Sequence, residues 1–190
     1  MTDPRPLFEH AHAWFAGLIA DLDGADLDAP TPCTEWPVRT VIAHVIGAAR
    51  RPRVVALGGK PFDVPLIIEG IADDDLAARH REAVRETLDV WSDPAVLDRP
   101  VTAPWGTVPG RAALSVWVKE PLVHGWDVAV ALGLPSEAPT AVAEAAVADM
   151  ARFLPADRRG EGVPFGPPVP VPDTAGPTER LAAWLGHARP

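Results

Sequence analysis

Glu120, His124 and Asp127 fall within one eight-residue stretch, EPLVHGWD. On a helix, at about 100° per residue, His124 lies roughly 40° from Glu120 and Asp127 roughly 20° to its other side, so all three share a face. The remaining positions of that face, Ala113, Val116, Trp117 and Ala131, are apolar. Two carboxylates and an imidazole in apolar surroundings are costly unless something compensates them. A divalent metal does so directly, because Glu and His one turn apart can place an oxygen and a nitrogen on one ion. The spacing alone also allows a Glu–His pair hydrogen-bonded inside a core, or a wet notch in a bundle. Pro121 and Gly125 weaken the helix that carries the trio, a local exception of the kind found near functional sites. Arg111, Ser115 and Lys119 mark the solvated side of the same helix.

His44, in RTVIAHVIG, supplies the candidate third ligand. It sits at the edge of the apolar arc made by Val41, Val45 and Ala48, where a histidine can equally serve only to pack helices. Bundle cores do assemble metal sites from facing helices, and His44, Glu120 and His124 together give a His₂Glu set. Three protein ligands with an open position are the catalytic zinc pattern rather than the structural one. The other candidates rank lower. His10 and His12 are read as surface residues, His80 between Arg79 and Arg81 as a core-edge residue, and His187 as part of the tail. Cys33 precedes His44 by eleven residues, roughly 16 Å along a helix, which keeps it off His44's ion. Its place near a helix N-terminus could lower its pKa, but a small buried residue is the better reading. The chain has no P-loop, no G-x-G-x-x-G and no G-x-S-x-G.

These side chains need helices to position them. Apolar residues at Leu7, Ala11, Phe15, Leu18 and Leu22 predict a first helix from Pro4 to Leu22. A second starts after PTPCTEW with Thr34 as N-cap, turning Val38, Val41, Ile42, Val45, Ile46 and Ala49 inward. The third carries Leu76, Ala83, Val84, Thr87, Leu88 and Trp91 inward. Residues 92–110 are rich in Pro and read as a loop with at most one extended piece. The fourth helix spans Arg111 to Leu132 and the fifth Thr140 to Leu154. Residues 155–177 hold too much Pro and Gly for regular structure, and TERLAAWLG closes the chain as a short helix. The expectation is an all-α four-helix bundle with an extra helix. Residues 1–154 form the bundle, and a Pro-rich C-terminal tail, residues 155–190, packs on it.

With 190 residues and 47% apolar composition the chain can bury a core, and its formal charge of −9 disfavours nucleic-acid binding. No apolar run is long enough for a membrane span, and no secretory signal opens the chain. One cysteine and no disulfide framework fit a cytoplasmic protein.

The strings PTPCTEWPVRTVIAHVIG, APWGTVPG, KEPLVHGWDVAVALG and FGPPVPVP, followed by TERLAAWLG, run in that order along nearly the whole chain. Together they resemble an actinobacterial family of DinB-like metal-binding bundles related to the N-terminal domain of mycothiol-dependent maleylpyruvate isomerase. The resemblance implies one metal, Zn2+ or another divalent ion such as Ni2+, held by His44, Glu120 and His124. It makes Asp127 the catalytic group, moving a proton or orienting a ligated group. It further implies a low-molecular-weight thiol, mycothiol, as cosubstrate in S-transfer to, or isomerisation of, a small electrophilic metabolite. The isomerase has an additional C-terminal domain for which this chain leaves no room, which counts against maleylpyruvate isomerisation itself. Two alternatives remain at this level. One is a metal-dependent hydrolase or other proton-transfer enzyme with Asp127 as base, and the other is a non-enzymatic metal- or ligand-binding protein. A homodimer is compatible with each.

Overall fold

The computed structural model describes residues 3–160 and 163–189. Four long helical segments form the bundle: α1 (Arg5–Leu18), α3 (Val38–Ala56), α4 (Leu76–Trp91), and the consecutive pair α6 (Gly110–Trp117) and α7 (Lys119–Ala131). Short helices α2 (Gly24–Leu27) and α5 (Ala95–Asp98) sit in the connections, and α8 (Thr140–Phe153) and α9 (Pro177–Trp184) follow the bundle. Helix α3 packs on α4 and α7, α1 packs on the same two, and α9 lies against α7 and α8. The chain is all-α, as its periodicity predicts, and the six α3 positions expected to face inward are all buried. Among the described residues, no helix is long and apolar enough to cross a membrane.

Several local expectations are corrected. The Pro-rich stretch after α5 is a β-hairpin, β1 (Pro100–Ala103) paired antiparallel with β2 (Gly106–Pro109), with Val101 opposite Val108. Its prolines sit where a two-stranded ribbon tolerates them, at the outer ends of both strands and in the turn. The first helix ends at Leu18 rather than Leu22. The fourth helix is two helices. Pro121 has no N–H for the Trp117 carbonyl four residues earlier, so α6 ends at Trp117 and a new helix starts at Lys119. Pro121 then falls in the first turn of α7, where an N–H would have no intrahelical partner anyway. Gly125 is set by close packing, since a Cβ there would meet the Trp14 ring of α1 at 2.3 Å.

Ser115 and Lys119 are buried rather than solvated. Helix α8 covers the first, whose hydroxyl donates to Asp149. The C-terminal segment covers the second, with Phe165 lying 5.2 Å from its ammonium. His12 and His80 are also buried. His12 stands one turn after Phe8 and three residues before Phe15, on the inward face of α1 with Ala11. His12 Nδ1 and His80 Nε2 are 3.0 Å apart, while His12 Nε2 and His80 Nδ1 have no hydrogen-bond partner among the described residues. Burial, then the nearby His80, pushes His12 well below its ordinary range; burial, then Arg81, brings His80 down to about 4.

This pair predicts acid sensitivity. Between 6.5 and about 4 the unfolded chain takes up protons that the folded histidines refuse. Stability contributed by the neutral pair is therefore complete above 6.5 and falls as pH drops toward 4. The expected loss is on the order of a few kcal/mol. Denaturant unfolding across that range checks it, and His80→Leu should flatten the slope. A slope unchanged by that substitution would assign the acid loss to other groups.

Candidate metal centre

The site is built from α3, α7 and the two irregular segments that flank them. On α7, Glu120 stands in the first turn and His124 one turn later. On α3, His44 points at the same place, its Nε2 lying 3.4 Å from Glu120 Oε2. His124 Nε2 lies 3.8 Å from the same oxygen. His44, Glu120 and His124 thus present one donor atom each within 4.8 Å of one another.

The second nitrogen of each ring is locked. His44 Nδ1 donates to the Leu66 carbonyl at 2.9 Å, which fixes the proton on Nδ1 and leaves the lone pair on Nε2. His124 Nδ1 donates to Asp127 Oδ2 at 2.9 Å with the same consequence. Burial lowers the His124 pKa, against the opposing pull of Asp127, so the ring is neutral at neutral pH. For Glu120, burial raises the carboxyl. The Lys119 ammonium leads the effects that outweigh it and holds the group ionised well below its ordinary range. Two imidazole lone pairs and one carboxylate therefore converge.

Asp127 is fully buried beneath His124. Its other oxygen, Oδ1, accepts from His187 Nδ1 at 2.9 Å. Burial raises this carboxyl, but the bonds from His124 and His187 outweigh it and keep it ionised. His187 follows the last turn of α9, where Gly186 takes φ +94° and packs so closely on Gly166 that a Cβ would meet backbone at 2.9 Å. Its part in the site carries no spacing signal, because the contact spans 60 residues and depends on how α9 docks on α7.

Cys33 requires a correction. Helix α3 starts at Val38 with Pro37 as its N-cap residue, so Thr34 caps nothing and the helical 16 Å estimate fails. Residues 30–37 form a closed turn in which Thr31 Oγ1 donates to the Trp36 carbonyl at 2.7 Å and accepts from the Cys33 N–H at 3.1 Å. Pro30 and Pro37 bridge its ends. The turn brings Cys33 Sγ into a second group of possible ligands with His124 and Asp127, all within 4.8 Å. It also sets Trp36 against the His44 ring, at 4.8 Å between centroids. Burial, then Asp127 and Glu35, pushes the thiol up to about 11. His10 is exposed, as expected.

Comparison with known proteins places the chain in a family. The family described as mycothiol maleylpyruvate isomerase N-terminal domain matches residues 8–129, the span that contains Cys33, His44, Glu120, His124 and Asp127. Two uncharacterized proteins, one from each of two strains of Mycobacterium tuberculosis, are 29% identical over 185 residues, covering 97% of this chain and 98% of theirs. The crystal structure of the mycothiol-dependent maleylpyruvate isomerase superposes with a TM-score of 0.60 at 18% identity, covering 83% of this chain and 72% of that one. A histidine-to-alanine variant of that isomerase gives 0.58 at 17% over the same shares. The structural likeness shows a common fold, and the sequence match shows the family: this chain belongs to the mycothiol maleylpyruvate isomerase N-terminal domain family.

Proposed function

We propose that the chain holds one divalent metal, zinc by preference, at His44, Glu120 and His124, and uses it in thiol-dependent transfer or isomerisation on a small electrophile. Mycothiol is the thiol that the family relationship suggests. The observation that carries the reading is the locking of both imidazoles. Each ring donates its Nδ1 proton to a fixed acceptor and turns its Nε2 lone pair toward Glu120. Zinc with nitrogen and oxygen donors at about 2.0–2.2 Å places neighbouring donors roughly 3.3–3.5 Å apart. The 3.4 Å between His44 and Glu120 meets that requirement, and the 3.8 Å from His124 is a few tenths of an ångström longer.

When bound, the metal would lower the pKa of a coordinated thiol and so supply a thiolate near neutral pH. The remaining work belongs to the protein. Asp127 keeps the His124 proton on Nδ1, and the Leu66 carbonyl does the same for His44. Asp127 has both oxygens engaged and no exposed surface, which suits a group that orients a ligand better than one that takes a substrate proton. Lys119 neutralises Glu120 from the side away from the histidines, and Trp36 shields the His44 ring from water.

The experiment is conjugation of mycothiol to a fluorogenic electrophile such as monochlorobimane, with zinc-loaded protein. The expected outcome is acceleration over the uncatalysed reaction that disappears on chelation. Turnover of electrophile without thiol would replace this reading with metal-assisted hydrolysis. No acceleration with mycothiol or any other small thiol would remove the transferase reading.

A further inference from the structure

His44 and Arg51 both lie on α3. Seven residues separate them, about 20° short of two full turns, so they share one face of the helix. Both bond the backbone of the connector between α3 and α4, at consecutive carbonyls. Arg51 Nη2 donates to the Pro65 carbonyl at 3.0 Å, and His44 Nδ1 to the Leu66 carbonyl at 2.9 Å. Gly47 stands between them, where a Cβ would meet the Pro65 oxygen at 3.0 Å. Further along, the Ile68 N–H donates to the Ala43 carbonyl. The connector thus runs back along α3 over Arg51, Gly47, His44 and Ala43. Pro65 and Leu66 are themselves exposed, so bonds from α3, rather than burial of their side chains, hold the two carbonyls in place. The guanidinium is costly where it stands. Arg51 is 9% exposed, and its Nε has no hydrogen-bond partner among the described residues. An apolar side chain of similar volume would avoid that cost, but it would leave the Pro65 carbonyl without its donor.

We propose that Arg51 is a positioning residue of the metal centre: by holding the Pro65 carbonyl it sets the Leu66 carbonyl where it keeps the His44 proton on Nδ1 and the lone pair on Nε2. This inference rests on the metal-centre reading above and deepens it. Only the φ and ψ of Leu66 stand between the two peptide planes, so a Pro65 carbonyl released from Arg51 carries the Leu66 carbonyl with it. Without that acceptor the ring takes the Nε2–H tautomer and presents a proton, not a lone pair, to the ion. A role through charge alone is the competing account, because Glu120 opposes the burial that lowers the Arg51 pKa. The two accounts differ in what they do to the ring: only the first moves the proton of His44.

Nitrogen-15 NMR of metal-free, full-length protein labelled at histidine reads the tautomer directly, since protonated and unprotonated ring nitrogens differ in shift. The His44 signal is identified by its loss in His44→Ala, and competition with a chromophoric chelator gives zinc affinity. Arg51→Met keeps an unbranched stem but removes both donor and charge. Its His44 should carry the proton mainly on Nε2, and zinc affinity should fall about 10–100-fold. Arg51→Lys keeps a donor and a charge and should recover much of both. Gly47→Ala leaves the guanidinium intact and pushes the same carbonyl, so it should shift the tautomer in the same direction by less. Alanine also favours the helix, so this variant carries the test if Arg51→Met loses its cooperative unfolding. A His44 proton that stays on Nδ1 in folded Arg51→Met, or in Gly47→Ala where Arg51→Met does not fold, overturns the inference. Zinc affinity lost with the tautomer unchanged overturns it too and assigns Arg51 to the charge of Glu120. Absence of zinc binding by the unaltered chain overturns the metal centre, while the metal-free tautomer still decides whether Arg51 orients the ring.

Discussion

His44→Ala, Glu120→Ala and His124→Ala should each leave the protein with little bound metal after dialysis, where the unaltered chain retains close to one equivalent. The three donors come from two helices, and loss of any one leaves two, too few to hold a tetrahedral ion at catalytic affinity. Elemental analysis of tag-free protein gives the stoichiometry, and competition with a chromophoric chelator gives the affinity. Glu120→Gln separates ligation from folding. It keeps the shape of the side chain but presents a neutral amide to the ion and to the buried Lys119, so metal should be lost and the unfolding midpoint lowered, while an unchanged circular-dichroism spectrum and a cooperative transition show that the fold persists. Affinity in the unaltered protein should also decline as pH falls through the histidine range, because both imidazoles bind as neutral rings. If Glu120→Ala keeps its metal while Asp127→Asn empties the site, the carboxylate ligand is Asp127 and the assignment made here is wrong.

The parts of this centre legible in the sequence are those that obey helical periodicity. Glu120, His124 and Asp127 share a face because α7 is regular from Lys119 onward, and that regularity is unaffected by the break at Val118. His44 is recognisable for a weaker reason, since a polar residue at the edge of an apolar arc signals either packing or ligation. Its meeting with Glu120 across the bundle is what favours ligation.

What lay outside periodicity was illegible or misread. The Leu66 carbonyl that sets the His44 tautomer is a backbone atom in an irregular connector, and no side-chain pattern encodes it. Cys33 was misplaced because a helix was extended backward through Thr34, whereas the Pro30–Pro37 bridge and the Thr31 bonds fold that stretch into a turn. Lys119 and Ser115 lie on a different side of the fourth helix from the trio, and helical periodicity alone does not show what covers that side. Helix α8 and the segment carrying Phe165 cover them. His12 shows the same error in miniature, since its place one turn after Phe8 and beside Ala11 puts it on the buried face of α1 rather than on the surface.

The group beneath the ligands yields a graded outcome. Asp127 accepts from two histidines at once, His124 Nδ1 on one oxygen and His187 Nδ1 on the other. Asparagine offers one acceptor oxygen and one donating amide, so in Asp127→Asn one of the two rings must face a donor. Should that ring be His124, the favoured tautomer moves the proton to Nε2 and removes the lone pair the metal needs. Metal affinity should then fall by about 10–100-fold, the usual cost of altering a ligand's hydrogen-bond partner. His187→Ala takes away only the second bond and leaves His124 correctly oriented, so its effect on metal should be smaller. It should show instead as a stability loss of about 1.5–3 kcal/mol, the range for a hydrogen bond to a charged group. Chelator competition and denaturant unfolding on the two variants separate these effects. Equal metal affinity in Asp127→Asn and the unaltered chain would mean that Asp127 does not set the His124 ring. A larger metal loss in His187→Ala than in Asp127→Asn would place the histidine of the C-terminal segment, rather than the aspartate, in control of the centre.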